Sequence, residues 1–173
     1  IADFFYPETV GGSAVMAYEI MRELVERGNS VTVLTRQKKE LCGTGLMGEI
    51  RVCRYRVPKQ QALYPLAVWR AARIVRRLLT QEHFDLINIH HASGGFAAEL
   101  VRKRLGNRVP SVFFFQGPWH KEAIAADGKY GTITYAKRNL PARYLLRREA
   151  DRFILNNCSA FITLSDYMPG SGA

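Results

Sequence analysis

The sequence predicts an α/β fold in which a parallel β-sheet is covered by helices on both faces, and three observations predict it. Short β-branched or aromatic runs recur along the 173 residues, each followed by a segment whose apolar residues return at helical spacing. Most connections between them are short, and strands that alternate with helices join one sheet through right-handed crossover units. Glycine pairs, Gly11-Gly12 and Gly94-Gly95, stand directly before two of the helical segments, where such a sheet places its strand-to-helix turns.

Taken in order, Ile1-Ala2-Asp3 reads as the tail of a first strand. Ala14, Ala17, Ile20, Met21, Leu24 and Val25 then share one face of a helix, with Glu19, Arg22, Glu23, Glu26 and Arg27 on the other. Ser13 is placed to cap its start, Gly28 to end it in a left-handed conformation, and Glu23 with Arg27 forms a favourable four-residue pair. Val31 to Thr35 is a short buried strand. Residues 36–49, with Gly43, Gly45, Gly48 and several charges, predict a mobile loop before an alternating strand from Ile50 to Val57 that Pro58 stops. From Pro65 to Gln81, Val68, Ala71, Ala72, Val75, Leu78 and Leu79 form an apolar helix face opposite Arg70, Arg73 and Arg77. A strand at Asp85 to Ile89, a helix over about 94–105 and a strand ending at Phe115 continue the alternation. Residues 116–138 show no periodicity, and a connection of that length is more often functional than a plain link. A helix over about 142–157 and a strand from Ala160 to Leu164 complete the pattern.

The composition, 47% hydrophobic, supports one ordinary soluble domain over residues 1–168. The chain opens without methionine and closes on Pro169-Gly170-Ser171-Gly172-Ala173, which reads as an appended linker, so both native ends are expected to be missing. No apolar run approaches the ~20 residues that span a bilayer, and the N-terminus lacks the basic-then-apolar order of a signal peptide. Cys42, Cys53 and Cys158 are odd in number and widely spaced, which favours neither a disulfide framework nor a zinc site and fits a reducing cytosol. Twenty-five Lys and Arg against fifteen Asp and Glu give a net charge of +10, which attracts anions without naming one. Nucleic acid is not the expected partner, because the aromatic residues are not interleaved with the basic ones. Arg70, Arg73, Arg76 and Arg77 make either a solvated helix face or a face for an acidic membrane.

Chemistry is expected at the carboxyl ends of the strands, in the loops at 4–12, 90–95, 116–122 and from 165 onward. At Gly11-Gly12-Ser13 free backbone N–H groups and the positive end of the helix dipole make an anion site, and glycine lets a phosphate or sugar approach the main chain. The same glycines could equally do no more than shape a tight turn. The spacing is not GxGxxG and no GxxxxGK[ST] occurs, so nicotinamide, flavin and P-loop readings lose support. His90 and His91 follow a strand; tandem residues point in different directions, and His90 is preferred for facing a common site, where it could exchange a proton or hold a hydroxyl. In "FFFQGPWHKE", Trp119 can stack on a sugar ring, Gln116 and Glu122 can bind hydroxyls, and His120 can serve as acid or base. Ser-His-Asp order, HExxH and paired metal-ligand clusters are absent from the sequence, so neither a hydrolase nor a metalloenzyme is expected, and no cofactor is called for.

In their order along the chain, the strand remnant, "FYPETVGGSAVMAYEIMRELVERGNSVTVLT", "DLINIHH", "FFFQGPWHKE" and "ADRFILNNCSAFITLSDYM" resemble the N-terminal domain of group 1 retaining glycosyltransferases of family 4, which have a GT-B architecture. The resemblance implies a Rossmann-like acceptor-side domain that pairs, in the full enzyme, with a C-terminal donor-binding domain. That second domain's E-x7-E motif has no match here, so the domain alone is expected to be inactive. Gly11, Gly12 and Ser13 match the glycine loop that approaches the donor's phosphates or transferred sugar. His90 falls where such enzymes often carry a histidine facing the acceptor, and His91, Gln116, Trp119 and Glu122 are candidates for binding it. Many members have a histidine after the strand ending in Phe115; here Gln116 stands there and His120 follows four residues on, which leaves the catalytic residue open between His90 and His120. The implied substrates are a nucleotide-sugar and a saccharide or lipid-linked acceptor of polysaccharide assembly, with no metal required. The implied place is the cytoplasm, with peripheral contact to an anionic inner membrane face. A sugar-nucleotide epimerase of the same two-domain fold and a stand-alone basic module for anionic surfaces are the other readings the sequence leaves open.

Overall fold

The computed structural model describes residues 1–9, 11–38, 43–58, 63–121 and 142–163. Its elements, in chain order, are α1 (Gly12–Glu26), β1 (Thr32–Arg36), β2 (Thr44–Met47), β3 (Ile50–Tyr55), α2 (Tyr64–Gln81), β4 (Ile87–Ile89), α3 (Ala92–Arg104), β5 (Ser111–Phe115), α4 (Ala142–Asn157) and β6 (Ala160–Thr163). The strands form two three-stranded sheets in the orders β1-β3-β2 and β4-β5-β6, with β1–β3, β4–β5 and β5–β6 parallel.

Residues 1–3 lie between the two sheets and bond to both. Ala2 N–H donates to Leu34 O at 2.9 Å and Arg36 N–H to Asp3 O at 3.3 Å on one side, while His90 N–H donates to Ile1 O at 2.8 Å on the other. The expected strand tail therefore joins the halves into one α/β layer and places Asp3 beside the carboxyl ends of β1 and β4.

Residues 36–49 depart from the expected loop. They contain β2, an antiparallel edge strand with Met47 opposite Ile50, so Gly48 and Glu49 make a two-residue hairpin turn. Gly48 has φ 58°, the left-handed backbone such a turn needs at its first central position. Cys42 lies outside the described residues, as do Leu164, residues 169–173 and most of the 116–138 connection.

Successive residues along the strands point to opposite faces, and the core divides accordingly. Val33 and Val52 pack with Ala17 and Met21 of α1, whereas Leu34 and Cys53 pack with Ala67, Ala71 and Val75 of α2, Ala97 and Ala98 of α3 and Ile154 of α4. Helices thus cover both faces. Gly28, at φ 84°, ends the first helix as expected, with Gly28 N–H donating to Val25 O and Asn29 N–H to Leu24 O. The expected Glu23–Arg27 pair forms at 2.8 Å. Ser13 is not the cap: α1 already begins at Gly12, Gly11 holds the cap position, and no side chain caps this end.

Candidate functional site

The carboxyl ends of the first strand tail, β1, β4 and β5 meet at the start of α3, and four hydrogen bonds converge there on Asp3. Its carboxylate accepts hydrogen bonds from Tyr55 Oη at 2.6 Å, from the Gly94 backbone N–H at 3.0 Å, from Arg36 Nη2 at 3.1 Å and from the Ser93 hydroxyl. Arg36 Nη2 also donates to Tyr64 Oη at 2.8 Å and Ser93 Oγ at 2.9 Å, and its guanidinium lies 4.9 Å from the Phe4 ring centre. Burial alone would raise the Asp3 pKa, but Arg36, then His91, Ser93 and Tyr55, outweigh it and hold the carboxyl below its ordinary value. Asp3 is thus a charged group supplied by the protein to the positive end of α3.

Above this cluster a cavity of about 260 Å³ opens, with His90, His91, Gln116 and Trp119 in its wall beside Asp3, Arg36, Tyr64, Arg147 and Asp151. Four sequence candidates are therefore brought together. His90 is 2% exposed and stacked on Phe114 at 4.8 Å, and neither ring nitrogen has a hydrogen-bond partner among the described residues. The Gln116 amide nitrogen is likewise buried without a partner. Buried polar groups are nearly always satisfied, and these two side chains stand in the wall of one cavity, where a ligand can bond them. Burial pushes His90 down to about 3, so the ring is neutral near pH 7 and offers one donor and one acceptor.

His91 plays a different part from its neighbour. Its Nε2 lies 3.2 Å from Ser13 Oγ, its ring meets Phe4 edge-on at 5.2 Å, and burial lowers its pKa to about 4 against the opposing pull of Asp3. It ties the glycine turn before α1 to the start of α3. The turn itself is open: a Cβ built on Gly11 or Gly12 would meet nothing within 4 Å. The first turn of α1 carries no acidic residue, so its N–H groups have no carboxylate of their own helix against them.

Trp119 joins the site through its backbone N–H, which donates to Asp151 Oδ2 at 2.9 Å, while its ring sits 5.8 Å from Tyr64 and 5.0 Å beneath the Arg147 guanidinium. His120 is not among the side chains lining the cavity; its Nδ1 lies 3.9 Å from Asp151 Oδ2. Glu122 lies outside the described residues. Asp3, Arg36, Tyr55, Tyr64, Ser93, Arg147 and Asp151 were not singled out by the sequence, although Asp3 and Arg36 both stand at strand ends, where such residues are to be sought.

A model of Glycosyltransferase Family 4 matches residues 10–169, which includes the glycine turn, the His90 strand end and α4. The chain belongs to glycosyltransferase family 4. None of the curated proteins matches it. Within this glycosyltransferase domain the two features the sequence marked first, the open glycine turn and His90, stand on neighbouring strand ends and are bridged by His91.

Proposed function

We propose that this domain is the acceptor-side, N-terminal part of a retaining hexosyltransferase that moves a sugar from a nucleotide-sugar to a saccharide or lipid-linked acceptor in polysaccharide assembly. Gly11, Gly12 and Ser13 form the side that the donor's phosphates or transferred sugar approach, and the cavity of His90, Gln116 and Trp119 receives the acceptor. A C-terminal donor-binding domain completes the cleft, and this part alone is inactive. The observation that carries the reading is the pairing of an unfilled helix start with unpartnered buried polar groups one strand away.

The diphosphate that leaves is stabilised by backbone amides of the first turn of α1 and by basic residues, with no demand for a metal. His90 orients the acceptor hydroxyl against the anomeric carbon; a ring that protonates only near pH 3 is a weak general base at neutral pH. His120 acts beside Asp151, away from the acceptor hydroxyl. The exposed arginines Arg73, Arg76 and Arg77, with exposed Trp69 beneath Arg73 at 4.9 Å, suit peripheral contact with an anionic cytoplasmic membrane face.

Release of nucleoside diphosphate from UDP-, GDP- and ADP-sugars by the protein with its donor-binding domain tests the reading. One donor is expected to be turned over, with Gly12→Val and His90→Ala each lowering the rate at least a hundredfold. No turnover of any donor with any acceptor would sink it.

A further inference from the structure

The cavity of His90 and Gln116 has a neighbour on the other side of part of its wall. Tyr64, Trp119 and Arg147 belong to its wall and also to the wall of a second, larger groove of about 1250 Å³. That groove runs among three helices, lined by Pro65 and Val68 of α2, Phe96 of α3, and Leu146, Ala150 and Phe153 of α4. Its wall is mainly apolar, whereas the cavity's wall carries two histidines and a glutamine as well as charged groups. Leu146 leaves 69% of its surface open at the edge of this groove. The charged residues that border the groove are Arg147, Arg152 and Glu149, with Arg152 paired to Glu149 at 3.2 Å.

A polar cavity that shares three wall residues with an apolar groove sets a place for a sugar beside a place for a hydrocarbon. We propose that the groove holds the hydrocarbon chain of an amphipathic glycoside acceptor whose sugar end lies against His90 and Gln116. This rests on the acceptor-side reading of the cavity and selects, from saccharide and lipid-linked acceptors, the second. Arg147 lines both spaces, over the face of Trp119, and so can meet an anionic linkage between sugar and chain. A free oligosaccharide would leave the groove unused, and apolar surface gains only from an apolar occupant.

The test uses alkyl glycosides of glucose, galactose and mannose with methyl, butyl, hexyl and octyl chains, each below its micellar concentration. Trp69→Phe leaves Trp119 as the sole indole, so binding is read from its fluorescence and checked by calorimetry. Affinity should rise with chain length, by up to about fourfold for each methylene buried, and at least tenfold from methyl to octyl. Leu146→Glu, at a position exposed enough to tolerate it, should remove that gain and leave methyl glycoside binding unchanged. His90→Ala should weaken every chain length by the same factor. Binding that is equal at all chain lengths would overturn the proposal while leaving the acceptor reading intact. Octyl binding that survives both Leu146→Glu and His90→Ala would also overturn it. Failure of all glycosides to bind would overturn both.

Discussion

Gly94-Gly95 and Gly11-Gly12 both lie at the starts of helices at the carboxyl edge of the sheet, yet a methyl group added to each would meet very different surroundings. At Gly95 it would come within 2.4 Å of Ile89 Cγ2 and 3.3 Å of Ile154 Cδ1, and at Gly94 within 2.7 Å of both Asp3 Oδ1 and Ile1 Cγ2. At Gly11 and Gly12 it would meet nothing within 4 Å. The first pair lets α3 press onto the sheet and lets Asp3 reach the helix start. The second pair is not explained by packing, and the helix it precedes has no acidic residue in its first turn. One dipeptide therefore serves internal contact in one place and leaves room for an outside group in the other.

Removing the protein's own anion from α3 is the severest way to break this contrast, because it turns a filled helix start into an empty one. Asp3→Ala leaves Arg36 without its carboxylate and Ser93, Tyr55 and the Gly94 N–H without their acceptor. Breaking a buried pair of this kind costs about 3–5 kcal/mol. Chemical denaturation should report a loss of that size, and a change below about 1 kcal/mol would mean that the cluster is not the anchor described.

Gly95→Ala tests the same side with a single methyl. Ile89 is fully buried in the core and has no open space to turn into, so overpacking should cost about 2 kcal/mol, a fall in Tm of roughly 4–8 °C. An unchanged melting temperature would show that α3 can lift from the sheet freely, and the distinction between the two glycine pairs would then disappear.

Part of this contrast was readable in advance and part was not. The helices and most strands followed from periodicity because burial on one face repeats at 3.6 or 2 residues, a local property. β2 was hidden by its short four-residue length and by glycines at 43, 45 and 48 that read as loop, although Gly48-Glu49 between pairing strands was the available hairpin signal. Both glycine pairs were visible, but nothing local distinguishes a glycine that packs from one with open space around it. The Asp3 cluster was not visible, since its partners are 33, 52 and 90 residues away along the chain. His90 was legible from its place after a strand; its lack of partners depends on Phe114 and Gln116, which only the fold brings near.

The two histidines between the glycine pairs give a smaller, graded effect through pH. His90 and His91 are held neutral down to about 3 and about 4, burial being the main cause in each, while an unfolded histidine protonates near 6.5. Between those values the unfolded chain binds more protons, so their contribution is complete above about pH 6.5 and is lost as the pH falls toward 4 and then 3. At pH 5.5 each ring should account for about 1 kcal/mol. His91→Gln, which can still bond Ser13, should flatten the acid limb of the stability curve; an unaltered limb would mean that His91 already titrates normally.

The smallest effect on stability should come from Gly12→Ala, and its small size is what makes it useful. The position is the first residue of α1 with open space around its missing side chain, so alanine should be neutral or stabilise by about 0.5–1 kcal/mol through loss of freedom in the unfolded chain. If the space is kept for the donor, the same methyl group should raise the donor KM at least tenfold with the acceptor KM unchanged. Gly95→Ala should do the reverse, lowering Tm while the surviving folded protein keeps its donor KM. Both substitutions add one methyl group to a glycine within the first four residues of a helix, so helix propensity cannot account for opposite outcomes. A Gly12→Ala protein with normal donor KM would reduce the glycine turn to a matter of backbone shape and transfer the search for the donor contact to the His90 strand end.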